Sequence, residues 1–186
     1  MNGTGIVRKV DELGRVVIPK ELRRKMHIRV GDEMEIFVND KGEVLLKKHS
    51  SLGDLEYFAQ TYAESLAEVS EKIICITDRD KVIAVSGAPP KDYQYRVLGT
   101  NLETLMEERK TFVINEKDKV AMMRGKEKEM SFEAKFTAFV LAPILVEANP
   151  LGMIIIATRK NGEKFGQTEK QLAEAGALYL AKELQA

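Results

Sequence analysis

Six cationic side chains, Arg8, Lys9, Arg15, Lys20, Arg23 and Arg24, fall between Thr4 and Arg24. Only three acids accompany them, Asp11, Glu12 and Glu21, in a chain whose formal net charge is zero. Like charges massed this way cost stability unless an anion neutralises them, and the planar fork of arginine matches phosphate oxygens and the acceptor edge of guanine. The chemistry such a cluster invites is the binding of phosphate groups. Lys20, Arg23 and Arg24 stand at i, i+3 and i+4, so on a helix they crowd one another. Glu21 is spaced to offset Arg24 and Lys25, while nothing nearby in sequence offsets Lys20 and Arg23.

A basic composition becomes a face only when the backbone aims it. Residues 6–10 and 15–18 are rich in β-branched side chains and flank Asp11-Glu12-Leu13-Gly14, which reads as a turn. If Val10 and Arg15 stand opposite each other, Arg8 and Arg15 emerge on one face, and a one-residue change of register separates them. Pro19 pre-sets a first helical position, and residues 20–26 predict about two turns with Leu22 and Met26 on the inner side. Gly31-Asp32 turns the chain into a strand over residues 33–40, and Asn39-Asp40-Lys41-Gly42 predicts a hairpin into residues 43–48. The expected module, residues 1–50, is four short strands and one helix. It has little apolar surface to bury and no disulfide or metal staple, so dimerisation is its remaining source of stability, and a dimer doubles the arginine face.

Over nearly all of residues 1–50, GIVRKVDELGRVVIPKELRR followed by GDEMEIFVND and GEVLLKKHS resembles the DNA-binding domain of the AbrB family of transition-state regulators. The resemblance implies a swapped-hairpin barrel in which two chains interleave into one DNA-binding unit, with Arg8, Arg15, Arg23 and Arg24 facing the DNA.

Composition bounds the rest. At 186 residues, 44% hydrophobic and 31% charged, the chain suggests one large or two small domains of ordinary globular character. The start lacks the apolar core of a signal peptide, and no run has the length to span a bilayer, which predicts a cytoplasmic protein without a membrane partner. One cysteine excludes an intrachain disulfide, and His27 and His49 form no ligand cluster, so no metal site is expected. Cys75 lies in the apolar run IICIT and reads as a buried thiol, which leaves nucleophilic catalysis without a candidate and the chain without an expected enzymatic role. Residues 1–50 hold 11 Lys plus Arg against 8 Asp plus Glu, leaving 18 and 21 for the remainder. A basic nucleic-acid module joined to a mildly acidic domain fits that asymmetry.

Beyond a boundary near residues 49–53, Ser50-Ser51 predicts the start of a connecting helix over residues 51–70, with Leu52, Leu55, Phe58 or Ala59, Tyr62, Leu66 and Val69 as its apolar stripe. Residues 71–186 predict a second domain. KIICITD and KVIAVSG read as strands, and Asp78 and Asp80 between them as turn formers rather than metal ligands. KDYQYRVLG and LETLMEERK read as short helices, TFVIN and KVAMMRG as strands, and residues 125–131 as a solvated loop. FTAFVLAPILV and GMIIIATR read as central strands joined by a turn at Asn149-Pro150-Leu151-Gly152. Thr168 with Gln171 predicts a capping box for a terminal helix whose two apolar faces serve its own sheet and a partner helix.

The order of these elements resembles a GAF or PAS-like sensor domain, giving an α+β protein in which a small swapped-hairpin barrel precedes an antiparallel GAF-like sheet with flanking helices. Joined to the first module, it resembles a family of transcription regulators of the developing spore. That resemblance implies a nucleoid-associated activator and repressor of sporulation genes, a dimer through its first domain and a tetramer through its GAF helices. No cofactor is expected, and the GAF likeness admits an unidentified small effector. Ile76, Val85, Phe112, Met122, Met123, Phe136 and Phe139 are the candidate walls of its pocket, although their spacing suits plain core as well.

Overall fold

The computed structural model describes residues 6–26, 28–49, 56–115 and 136–185, which fall into two compact units, Met1–His49 and Ser50–Ala186.

In the first unit a short helix, α1 (Lys20–Lys25), precedes an antiparallel hairpin of β1 (Met34–Val38) and β2 (Val44–Lys48), with Ile36 opposite Leu46 and Phe37 opposite Leu45. The hairpin closes at Asn39-Asp40-Lys41-Gly42, the expected turn. Asn39 N donates to Glu43 O at 3.1 Å, and Gly42 takes the positive φ of 74° that the turn requires. The four strands expected of this unit reduce to two among the described residues, because residues 6–10 and 15–18 form no strand. Burial explains why the unit is incomplete. Among its described residues only Pro19 is buried, while Val7, Val10, Val17, Ile36, Val38 and Val44 are each more than 60% exposed. One polar anchor is enclosed: Asp32 Oδ2 accepts from Arg29 N at 2.7 Å and from Lys48 Nζ at 3.0 Å, with the aspartate side chain only 4% exposed.

The second unit is a five-stranded antiparallel sheet of β3 (Ile73–Thr77), β4 (Val82–Ser86), β5 (Phe112–Ile114), β6 (Ala138–Val146) and β7 (Asn149–Thr158), in the order β4-β3-β7-β6-β5. Helices α2 (Glu56–Ser70) and α4 (Gln167–Glu183) cover one face, and α3 (Thr100–Glu107) covers the other. Strand alternation divides the core accordingly. Ile74, Ile76, Val140, Ile154 and Ile156 meet Ala59, Ala63, Ala177 and Leu180 of α2 and α4, whereas Cys75, Val85, Phe139 and Ile155 meet Leu102 and Met106 of α3. The apolar runs predicted to be central strands are β6 and β7, with β7 at the centre of the sheet. Gly176 lets α4 lie close: a Cβ there would fall 2.7 Å from Ile154 Cδ1 and 3.0 Å from Tyr62 Oη.

Several expectations are corrected. Residues 91–99 form no helix beyond a single 3₁₀ turn at Pro90–Asp92; instead they run along the outer edge of β4, where Val82 N donates to Arg96 O and Tyr95 N to Val82 O. The β6–β7 turn lies at Glu147-Ala148, both at positive φ, and Asn149 and Pro150 already pair with Val146 and Leu145. The last helix starts at Gln167 with Gly166 as its cap, and Glu169 Oε2 accepts from Gly166 N at 2.8 Å, so Thr168 and Gln171 form no capping box. On α2 the buried residues are Ala59, Ala63 and Leu66; Phe58 and Tyr62 pack partly against them, and Val69 is 80% exposed. The expected helix start at Ser51, Leu52, Leu55, the strand over residues 119–125 and the loop over residues 125–131 lie outside the described residues.

Candidate nucleic-acid interface

The basic stretch is carried by a turn and a helix. At the turn Asp11 N donates to Arg15 O and Gly14 N to Asp11 O, both at 3.0 Å, with Gly14 at φ 76°. Asp11 Oδ1 accepts from Leu13 N at 3.0 Å and Arg15 N at 2.8 Å, while Asp11 Oδ2 accepts from Arg15 Nε at 2.8 Å. The backbone amide of Arg15, and next its side chain, hold the Asp11 carboxyl below its ordinary value of 3.8. Asp11, not Val10, therefore stands opposite Arg15. Beyond that turn no strand pairing among the described residues puts Arg8 and Arg15 on a common face.

Pro19 is the N-cap of α1 rather than its first residue, and Arg23 N donates to its carbonyl at 2.9 Å. Arg23, Arg24 and Lys25 occupy the last turn, where the negative end of the helix dipole lowers the cost of their crowding. No residue of α1 is buried; Leu22 is half-buried and Met26 beyond the helix is 48% exposed, so the expected inner side is only partly covered among the described residues. The expected offset by Glu21 is missing too: among the described residues it pairs with neither Arg24 nor Lys25. Arg8, Lys9, Lys20 and Arg24 are exposed and make no side-chain hydrogen bond or ion pair among the described residues. Arg23 is half-buried, and its Nε is enclosed without a partner. Arg8, Lys9, Lys20 and Arg24 keep donors that phosphate oxygens can accept from, and among the described residues no hydrogen bond joins them to one another or to Arg23.

Residues 54–185 match the family model described as stage V sporulation protein T C-terminal, transcription factor. Over 185 residues the chain is 37% identical to stage V sporulation protein T of Bacillus subtilis (strain 168), covering 100% of this chain and 99% of that protein. The chain belongs to the stage V sporulation protein T family. Across 49 residues, 26% of this chain and 50% of the relative, it is 61% identical to the transition state regulatory protein AbrB of the same organism. Residues 7–54 also match the model described as antidote-toxin recognition MazE, bacterial antitoxin. The second unit superposes on the GAF domain from Acinetobacter phosphoenolpyruvate-protein phosphotransferase with a TM-score of 0.56 at 10% identity, over 70% of this chain and 82% of that one. That likeness shows the fold alone. The chain thus joins a first unit similar to AbrB to a second unit with the GAF fold, the α+β arrangement expected from the sequence.

The expected effector walls are divided by the sheet. Val85, Phe136, Phe139 and, partly buried, Phe112 line the α3 side, while Ile76 packs under α2 and α4. Met122 and Met123 lie outside the described residues. Tyr93, which sequence reasoning assigned to a short helix, belongs to the α3 side: it stacks on Phe136 at 5.4 Å, and Arg159 donates to its hydroxyl. Asp78 is a turn former as expected, its Oδ1 accepting from Asp80 N and Lys81 N at 2.8 Å each. No cluster of three or more metal-ligating side chains occurs among the described residues, and none of their helices is long and apolar enough to cross a membrane. Sequence reasoning missed Asp11 and Asp32 as partners of Arg15 and Lys48. Asp11 had a signal in the spacing of an Asx residue, a glycine three residues on and the arginine after it; Asp32 had none, since its partner lies 16 residues away.

Proposed function

We propose that this chain is a DNA-binding regulator of transcription in sporulation, acting as activator at some promoters and repressor at others. In this reading Arg8, Lys9, Arg15, Lys20, Arg23 and Arg24 contact the duplex. The observation that carries it is a set of exposed, unpaired cations on a unit whose apolar side chains are themselves exposed. A second copy interleaving with the first would bury Val7, Val17, Ile36 and Val44 and bring Arg8 and Arg15 of two chains onto one surface. The exposed Tyr57 and Leu178 on α2 and α4 support a further association through the GAF helices into a tetramer. Such a regulator works in the cytoplasm, at the nucleoid of the developing spore.

Replacing Arg8, Arg15, Arg23 and Arg24 together by alanine abolishes duplex binding and flattens its dependence on salt, since each lost phosphate contact releases fewer counterions. Equal affinity of the quadruple variant for the same promoter duplex would falsify the assignment. Sedimentation of the full chain tests the tetramer. The GAF unit takes a small effector on the α3 side of its sheet, beside Val85, Phe112, Phe136 and Phe139. Thermal shift of the full chain against branched-chain amino acids and nucleotides tests this, and no shift with any of them assigns the unit a structural role only.

The match of residues 7–54 to an antitoxin model favours a second reading, a protein-wrapping module. It predicts a tail open to protease, whereas the sheet of the second unit predicts a resistant fragment beginning near residue 56. Catalysis we do not assign. The one cysteine, Cys75, is enclosed, burial pushes its thiol up to about 12, and thiol-based sulfoxide reduction needs a thiolate and a resolving partner. A turnover assay against Cys75→Ser tests that exclusion.

A further inference from the structure

Two turns in the first unit share one construction. Each opens on an Asx residue whose Oδ1 accepts the amides two and four residues on: from Leu13 and Arg15 at Asp11, and from Lys41 and Glu43 at Asn39 at 3.1 and 2.9 Å. Each carries glycine at positive φ in the fourth position and closes with the first residue's amide on the fifth residue's carbonyl. Asparagine at the head therefore makes the same Oδ1 bonds as aspartate, and at the second turn its Nδ2 also donates to Glu43 Oε2 at 2.6 Å. What aspartate adds is a second oxygen, and at the first turn that oxygen is occupied by Arg15 Nε at 2.8 Å.

We propose that Asp11 is a positioning residue for DNA recognition, fixing the guanidinium of Arg15 by its Nε so that both Nη groups are presented to the duplex. The inference rests on the reading of Arg15 as a DNA contact. Arginine is suited to this division of labour because its donors form a rigid fork, one edge of which can be tied while the other binds phosphate or guanine. The side chain is 70% exposed even with this contact; without it an arginine samples many rotamers, and ordering it on the duplex carries an entropy cost that the Asp11 contact removes in advance. A carboxylate on a DNA-facing surface is otherwise a liability, since it repels phosphate.

The two effects of Asp11 have opposite sign, which makes the test decisive. Asp11→Asn keeps the turn, as Asn39 shows, but removes a negative charge and the acceptor for Nε. Binding of full-length protein is measured by fluorescence anisotropy on a duplex that the wild-type chain has selected from a random pool. Asp11→Asn should weaken binding roughly two- to fivefold, the scale of an exposed ion pair, although charge alone predicts tighter binding. In an Arg15→Lys background, where the ammonium is a point charge with no planar fork for Asp11 to orient, the same change should leave affinity unchanged or raise it. Equal or tighter binding of Asp11→Asn in the wild-type background, beside a loss in Arg15→Ala, overturns the inference alone. An equal loss in the Arg15→Lys background overturns it too, because that is the mark of a turn defect. Arg15→Ala without any loss overturns the reading of Arg15, and the inference falls with it.

Discussion

Gln60 on α2 hydrogen-bonds both backbone groups of Val85 on the outer edge of β4: its Oε1 accepts from Val85 N at 3.1 Å, and its Nε2 donates to Val85 O at 3.0 Å. A side-chain amide here takes the place of a neighbouring strand. Further along the same edge, the chain at Tyr95 and Arg96 satisfies Val82, so the described part of the edge offers little to a foreign strand. Gln60→Ala leaves a part-buried donor and acceptor without protein partners and should lower stability by about 1–2 kcal/mol in chemical denaturation. Gln60→Glu should cost more, because its carboxylate then faces the Val85 carbonyl. An alanine variant of unchanged midpoint would show that water replaces Gln60 at no cost.

Lys72, before β3, and Glu163, before α4, are joined at 2.5 Å, and Thr158 Oγ1 donates to the other carboxylate oxygen at 2.6 Å. Lys72, and after it the Thr158 hydroxyl, hold the Glu163 carboxyl below its ordinary value of 4.5. A depressed acid stabilises the fold above its unfolded value, and that contribution is lost as pH falls through the lowered folded value. The melting temperature of the wild type should therefore exceed that of Glu163→Gln at pH 7, with the gap closing below pH 4.5. A gap that stayed constant down to pH 3 would assign the difference to packing.

Gly87 follows β4 at φ 74°, and a Cβ there would sit 2.1 Å from Lys72 O, a backbone atom that cannot rotate away. Gly87→Ala combines left-handed strain with a main-chain clash and should cost roughly 2–4 kcal/mol. Gly162, at φ 77°, has nothing within 4 Å of its Cβ position, so Gly162→Ala carries the strain alone and should cost less. Thermal melts of the two variants give the comparison.

The α3 side of the sheet encloses Cys75, whose thiol burial pushes up to about 12 despite the opposing pull of Arg159. The folded protein should thus be inert to an aromatic disulfide reagent at pH 8 and react fully once unfolded. Reaction of the native chain at the rate of a free thiol would mean that this face opens to solvent.

What could be read from the chain alone followed from how local each feature is. The basic cluster was legible because charge declares itself whatever the fold does, and the Asn39 turn because asparagine and glycine announce a turn from within it. The apolar runs of β6 and β7 declared their burial through composition. Glu147-Ala148 carries no such mark: two residues without turn chemistry take positive φ because the paired strands on either side impose it. The helix expected at Tyr93-Gln94-Tyr95 lost to the edge of β4, which needed donors and acceptors that only the folded sheet defines. Ile76 was grouped with Phe136 and Phe139 because all are apolar, while the face each takes is a matter of register.

The Asp32 side chain, 4% exposed, is enclosed in a unit with almost no core among its described residues, so its loss should be felt beyond its neighbours. Its Oδ2 is shared by the Arg29 amide and the Lys48 ammonium, joining the loop after α1 to the end of β2. Asp32→Ala removes both the acceptor for Arg29 N and the 3.0 Å contact to Lys48 Nζ, and should destabilise the unit by about 3 kcal/mol, the scale of breaking a buried pair from one side. Asp32→Asn keeps an acceptor for Arg29 N and should cost less. Because a first unit that loses its fold also loses its DNA surface, the order of duplex affinities should be wild type, then Asp32→Asn, then Asp32→Ala, with Arg8 and Arg24 unchanged in all three. An Asp32→Ala protein that bound the duplex like wild type would show that the arginines are held in place without this anchor.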